Sequence, residues 1–366
     1  MNLRIPGPTP CPPEVLAAMS TPMVDHRGPE MAALIAGLAP RLQTAFSTAN
    51  DVLIITTSGT GGLECAVVNT LSPDDHVLSV SIGNFGERFA QIATAYGARV
   101  TKLGFDSGQA ADPERVAAAL REHPDVRAVL VTHNETSTGV TNPLEAIAAA
   151  VRPSGALLLV DAVSSLSSIP VKVDAWGLDV VVSGSQKGWM LPPGLAFVSM
   201  SARAWDAYRT ATTPRFYFDL GKHRDAQAKG QTPWTPALSL YFALNVALDM
   251  LEAEGWESIY ARHQACADLT RDGVRRLGLQ LLADERFASN TVTAVQAPPG
   301  LDVSRLRKVL REQYGVVVGG GQAELSGKIF RIGHLGLVHE DDITATLRAL
   351  ENALPVAGFS PAALPV

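Results

Sequence analysis

The chain has 366 residues, 46% of them apolar and 18% charged, with a formal net charge of −6. That apolar share supports a sizeable core and excludes a disordered chain, and the acidic balance without any basic block excludes a nucleic-acid binder. Three cysteines, Cys11, Cys65 and Cys266, stand far apart with no paired spacing, which fits a reducing compartment and offers no metal-site pattern.

The opening stretch MNLRIPGPTPCPPEV has no apolar core of a secretory signal. The longest apolar runs, such as ALLLV at 156–160, fall far short of the roughly 20 residues of a membrane span. The expectation is a soluble, cytoplasmic protein with neither a membrane nor nucleic acid as partner.

From residue 50 to 200, apolar runs alternate with helical patterns. DVLIITTSG (51–59), HVLSVSIG (76–83), RVTKLGF (99–105), VRAVLVTH (126–133), GALLLVDAV (155–163), LDVVVSGS (178–185) and GLAFVSM (194–200) read as strands. Several are apolar throughout, the pattern of strands buried on both faces. Helices are predicted at 61–71, 85–97, 112–123 and 142–151, the last two opening with Asp112–Pro113 and Asn142–Pro143 as cap and first turn. This alternation predicts a mainly parallel sheet covered by helices. QKGWMLPPG is too short for a crossover helix, so GLAFVSM is expected to pair antiparallel with its predecessor.

A long helix is read over 232–255, and the pattern then changes. Helix 257–277, strand 291–297, helix 302–315, strands 316–321 and 328–334, and a helix near 341–353 suggest a smaller α/β unit beginning near 255. The last ten residues, rich in Pro and Ala, read as a loose tail.

In a parallel α/β sheet, ligands bind beyond the carboxyl ends of the strands. Those ends here carry TSGTGG, IGNFG, THNETSTG, VDAVSS and SGSQK. SGTGGLE (58–64) is either a tight strand–helix turn or a phosphate cradle built from backbone amides and the hydroxyl of Ser58 or Thr60. Its spacing is neither a dinucleotide fingerprint nor a P-loop. Asp161 is either a turn aspartate or the partner of a protonated ring nitrogen. Lys187 is either a turn residue or a desolvated amine that attacks carbonyls. Taken together, Asp161, Lys187 and the glycine turn make pyridoxal 5'-phosphate the best single explanation.

Phe85 serves as either a stacking ring or a core aromatic. Arg331, in KIFRIGH, is either a surface position or a clamp for a substrate carboxylate. His133, Glu135 and His334 are imaginable acids or bases, although residues of this kind at strand ends are more often satisfied polar groups. No metal spacing joins them.

The motifs PGPTPCPPEV, DHRGPE (25–30), SGTGGLE, THNETSTGV, LLLVDAVSSLSSIP, SGSQKGWMLPPG and RIGHLG occur in the order seen in class V pyridoxal-phosphate aminotransferases. The sequence most resembles the alanine–glyoxylate and serine–pyruvate or serine–glyoxylate branch, over nearly its whole length. The resemblance implies an α/β, aspartate-aminotransferase-like fold of type I and a homodimer with active sites at the subunit interface. It implies an N-terminal segment (1–20), a large cofactor domain (21–255) and a small C-terminal domain (256–366).

Residue by residue, the resemblance makes Lys187 the Schiff-base lysine and Asp161 the partner of the pyridine nitrogen. Ser58, Gly59 and Thr60 become the phosphate cup, with Gln186 adding a side-chain contact. Phe85 takes the stacking position, Thr136 the hydroxyl contact to the ring oxygen, and Arg331 the carboxylate clamp. Gly7, in the loop Pro6–Thr9, belongs to the substrate pocket. A Thr-Pro segment before a long helix lends a phosphate ligand to the neighbouring subunit; Thr232 and Thr235 are the candidates, and Thr235 is favoured. A tyrosine that some relatives place just upstream has no counterpart in AKGQTPW.

The implied reaction is a ping-pong transamination from a small amino acid, alanine or serine, to glyoxylate or pyruvate. A lyase of the cysteine-desulfurase type would carry a stacking His, a His before the lysine and a C-terminal Cys. This chain has Phe85, Gln186 and no Cys after Cys266. A non-catalytic subunit of the same fold is the other alternative, and intact Lys187, Asp161 and Arg331 argue against it.

Overall fold

A computed structural model describes residues 1–360. The chain opens with strand β1 (Asn2–Arg4), helix α1 (Pro13–Ala18) and helix α2 (Pro29–Phe46). Next come β2 (Val52–Thr56), α3 (Gly59–Thr70), β3 (His76–Ser81), α4 (Asn84–Ala95), β4 (Arg99–Gly104), α5 (Pro113–Glu122) and β5 (Val126–Thr132). A small hairpin, β6 (Asn134–Glu135) and β7 (Val140–Thr141), precedes α6 (Leu144–Val151) and β8 (Leu157–Asp161). After a single turn, α7 (Val173–Trp176), come β9 (Val180–Gly184) and β10 (Leu195–Met200).

Four helices follow: α8 (Ala202–Thr210), α9 (Leu220–Gln227), α10 (Leu238–Glu254) and α11 (Trp256–Arg276). The remainder is β11 (Val292–Gln296), α12 (Val303–Tyr314), β12 (Val316–Gly320), β13 (Ile329–Gly333) and α13 (Glu340–Val356). No helix among the described residues is long and apolar enough to cross a membrane.

Seven strands form one sheet in the order β2-β10-β9-β8-β5-β3-β4. Only β10 runs against the others, pairing antiparallel with β2 and β9 as its short connection requires. Alternate side chains of each strand enter two separate cores. Val129, Val131 and Val160 meet α2, α5, α6 and α10, whereas Leu130, Leu159 and Val182 meet α3, α4 and α8. Strands covered on both faces need apolar residues at every position, which explains the unbroken Val and Leu runs. The edge strand β4 instead shows alternating exposure.

A second sheet, β1-β12-β13-β11, packs on α12 and α13 around its own core. Its first strand comes from the start of the chain, with Asn2 to Arg4 paired in parallel to Val316 to Val318.

Three sequence expectations are corrected. Asp112 caps α5 through Glu114 N at 2.8 Å with Pro113 in the first turn, but Asn142 does not cap α6. Its amide is committed elsewhere, accepting from Ala111 N and donating to the Thr132 carbonyl, both at 2.8 Å. The long helix begins at Leu238 rather than 232, because Pro233 and Pro236 force the preceding threonines into extended backbone. Of the predicted loose tail, residues 361–366 lie outside the described residues, while Ala357 is buried and Phe359 packs on the small-sheet core.

The loop after β9 is fixed by packing and by one hydroxyl. Ser185 Oγ donates to the Pro192 carbonyl (2.7 Å) and accepts from Leu195 N (3.1 Å). Trp189, fully buried, lies between Phe46 and Phe197 and donates from Nε1 to Ser183 Oγ at 2.8 Å. Trp189→Ala is expected to destabilise the fold by about 3–5 kcal/mol in urea unfolding, with Trp189→Phe costing much less.

Candidate active site

The carboxyl ends of β2, β3, β5, β8 and β9 lie along one edge of the large sheet. Asp161 is the last residue of β8. Its Oδ1 accepts from Val163 N at 3.0 Å and its Oδ2 from Thr132 Oγ1 at 3.4 Å. Burial pushes its carboxyl up to about 6, reinforced by the charge of Glu135 and opposed by that of Lys187.

Lys187 sits three residues beyond β9 with 8% of its surface exposed. Its ammonium donates to the Pro6 carbonyl at 2.7 Å. Burial pulls the amine down to about 8; Arg331 and Arg88 act in the same direction, and Asp161 and Glu135 oppose them.

The N-terminal segment crosses directly over this lysine. Thr9 N donates to the Gln186 carbonyl (3.1 Å) and Thr9 Oγ1 to the Lys187 carbonyl (2.9 Å). A Cβ on Gly7 would lie 2.5 Å from Lys187 Nζ, and Gly7 has φ of 142°, so only glycine lets the strap pass.

The β2–α3 turn abuts the same place, since a Cβ on Gly184 would lie 3.3 Å from the Gly59 Cα. Ser58 caps α3, its Oγ accepting from Gly61 N at 3.3 Å and leaving its own O–H to donate. The first N–H groups of α3 have no partner within the helix, the usual setting for an anion. Thr60 Oγ1 accepts from Arg88 at 3.4 Å, and the Arg88 guanidinium lies 4.8 Å from the centre of the half-buried Phe85 ring. Gln186 Oε1 is buried and has no hydrogen-bond partner among the described residues. An orphaned amide beside a helix N-terminus and two hydroxyls is a donor set that fits a phosphate once the amide is turned.

Arg331 reaches in from β13 of the small sheet. It donates from Nε to the Gly320 carbonyl (2.8 Å) and from Nη1 to the Thr136 carbonyl (2.9 Å), which leaves Nη2 without a partner among the described residues. Burial lowers its guanidinium to about 10, opposed by Glu135. Thr235 is exposed and makes no hydrogen bond among the described residues, whereas Thr232 Oγ1 is turned inward to the Trp234 carbonyl at 2.7 Å.

The chain thus brings Lys187, Asp161, Gln186, Gly7, Ser58, Gly59, Thr60, Phe85, Thr136 and Arg331 to one edge, and leaves Thr235 on the surface. His334 is a satisfied polar group, bonded to Thr293 Oγ1 (2.8 Å) and the Asn290 carbonyl (3.1 Å). His133 is buried against Trp176, and burial pulls it down to about 4. Arg88 and the Pro6 carbonyl were not foreseen, because both reach Lys187 only through the tertiary arrangement. No three His, Cys, Asp or Glu side chains among the described residues gather into a metal-binding group.

Residues 2–336 match the family described as Aminotransferase class-V. The chain is 46% identical to a Synechococcus protein named "Soluble hydrogenase, small subunit", covering 98% of this chain and 94% of that one. It is 38% identical to the L-aspartate–glyoxylate aminotransferase of Paracoccus denitrificans, over 91% of this chain and 85% of that one. The crystal structure of pyridoxamine-pyruvate aminotransferase from Mesorhizobium loti superposes with a TM-score of 0.95 at 34% identity, covering 98% and 93% of the two chains. The chain thus carries a buried lysine and aspartate at the edge of a doubly covered sheet, on the fold of that aminotransferase structure. The chain belongs to the class V aminotransferases.

One consequence concerns Asp161 in cofactor-free protein. Its folded carboxyl titrates at about 6 against an unperturbed 3.8, so the buried charge costs stability as pH rises between these values. Asp161→Asn should stabilise the cofactor-free chain by up to roughly 3 kcal/mol at pH 7–8. The gain, measured by urea unfolding, should grow from pH 4 to pH 7; a gain independent of pH rules out burial of the charge as the cause.

Proposed function

We propose that the chain is a pyridoxal 5'-phosphate-dependent transaminase that moves an amino group from alanine or serine to glyoxylate or pyruvate. The observation that carries this reading is the buried Lys187 amine, drawn down to about 8, beside the Asp161 carboxylate and the orphaned Gln186 amide. Relatives named as serine–glyoxylate aminotransferases, at 36% identity in Methylorubrum extorquens and in Arabidopsis thaliana, support the substrate class.

Ser58, Gly59, Thr60 and Gln186 hold the phosphate, Phe85 covers the ring, and Thr136 offers its hydroxyl. Pyridoxal phosphate, when bound, supplies a carbonyl that takes up the amino group and a ring that withdraws electrons. Asp161 holds the proton on the ring nitrogen. Arg331 binds the substrate carboxylate through its remaining N–H groups and fixes the α-hydrogen towards Lys187. Lys187 Nζ takes that proton, which requires the neutral amine, the form that its burial favours. Gly7 lets the N-terminal strap close over the lysine and narrows the substrate pocket.

The enzyme works in the cytoplasm as a homodimer, in which Thr235 of one copy reaches the phosphate of the other. Its chain divides into an N-terminal segment (1–20), a large domain (21–255) and a small domain (256–366).

The test is a panel of amino donors against glyoxylate and pyruvate, with both the new keto acid and the new amino acid measured. Lys187→Ala should lose at least about 100-fold in turnover and no longer retain cofactor covalently after borohydride reduction. Donor consumption without a matching new amino acid points to elimination instead of transfer. Arg331→Ala should raise KM for both substrates by about 30-fold, as expected from losing a charge-assisted pair worth roughly 2 kcal/mol.

A further inference from the structure

Glu135, at the end of β6, has no exposed surface. Its Oε2 accepts from Phe85 N (3.0 Å) and Gly86 N (3.1 Å), and its Oε1 from the backbone N–H (3.1 Å) and Oγ (2.5 Å) of Ser137. Ser137 Oγ in turn accepts from Asn84 N at 2.9 Å. The N–H groups of three successive residues in the first turn of α4 therefore end on this pair, which lies about 50 residues downstream in sequence.

Four donors aim at two oxygens, an arrangement that suits a carboxylate and leaves no acceptor for a carboxyl proton. Burial pushes the group up, and these donors pull it only part of the way back. A negative charge at the first turn also meets the positive end of the helix dipole. The approach is close because position 83 is glycine: a Cβ there would lie 2.5 Å from Ser137 Oγ and 2.6 Å from Glu135 Cγ. On the other side, Arg331 grips the peptide between Thr136 and Ser137 through the Thr136 carbonyl.

We propose that Glu135 is a positioning residue of the active site: its carboxylate clamps the start of α4, setting the Phe85 ring, and is the fixed negative charge opposite Arg331 and Lys187. This rests on the functional reading above for what Phe85, Arg331 and Lys187 do. The charged groups that share its surroundings are Asp161 from β8, Lys187 after β9 and Arg331 from β13, with Arg88 of α4 also acting on Lys187. Removing the negative charge leaves the ammonium of Lys187 less favoured, so its titration moves to lower pH.

The test uses the full chain freed of cofactor, with Glu135→Gln and Ser137→Ala beside wild type. Backbone amide exchange at Phe85 and Gly86 should be about fivefold faster in Glu135→Gln, the effect of losing roughly 1 kcal/mol of capping. The pH midpoint for attachment of added pyridoxal phosphate to Lys187 should fall in Glu135→Gln and stay at the wild-type value in Ser137→Ala, which keeps the charge. Equal exchange in Glu135→Gln and wild type overturns the clamp. Equal midpoints, or the same fall in both variants, overturn the charge role. If Glu135→Gln does not fold, Glu135→Asp, which draws the carboxylate back by one methylene, takes its place, and unchanged exchange at Phe85 and Gly86 in it overturns the clamp. A wild type that never attaches pyridoxal phosphate sinks the functional reading while leaving the exchange test of the clamp intact.

Discussion

The structure depends on keeping one amine out of water. Lys187 has a single protein acceptor among the described residues, the Pro6 carbonyl, and it shares its surroundings with two more cations, Arg331 and Arg88. Two carboxylates, Asp161 and Glu135, act on the lysine in the opposite sense. Around the Lys187 amine, three positive groups thus meet two negative ones. A site of this kind favours ligands that bring negative charge of their own, which a phosphate and an amino-acid carboxylate both do. The cost of holding such charges in a buried place is visible in the directions of their shifts: lysine and arginine down, aspartate up.

Several parts of the fold exist to hold that arrangement. Covering the sheet on both faces forces its ligands to the open carboxyl edge, where β3 and β5 diverge towards different neighbours. The loop after β9 is pinned by Trp189 and Ser185, so the lysine projects from a rigid base. The strap Pro6–Thr9 has one end in the small sheet through β1 and the other bonded to the Lys187 loop. The two sheets are thereby joined at the Lys187 amine itself, and again where Arg331 grips the Thr136 peptide. A motion of the small sheet would thus be felt at both Lys187 and Arg331.

Much of the fold was legible because both sheet faces are buried. Continuous apolar runs mark β5, β8 and β9, and the short turn after β9 dictates the reversal of β10. Helix α2 was not read, since Gly37 and Pro40 interrupt a pattern whose buried positions, Met31, Ile35, Leu38 and Leu42, are otherwise helical. Helix α8 buries little beyond Ala204, so periodicity had nothing to report. Asn142 shows the opposite failure: a good local cap was drawn away by two tertiary hydrogen bonds.

Lys187, Asp161 and the SGT turn could be picked from sequence because each stands at the end of an apolar strand, where a polar group has a restricted set of uses. Periodicity fixed the strands, and strand ends fixed the candidates. What the sequence could not decide was which groups from distant segments meet there. The Pro6 carbonyl at Lys187, the Arg88 guanidinium at Thr60 and the Glu135 carboxylate at the start of α4 all arise from contacts between residues dozens to nearly two hundred positions apart. Burial and charge set by such neighbours move Lys187 and Asp161 towards each other in pKa, and that is a property of the packed structure, not of the residues.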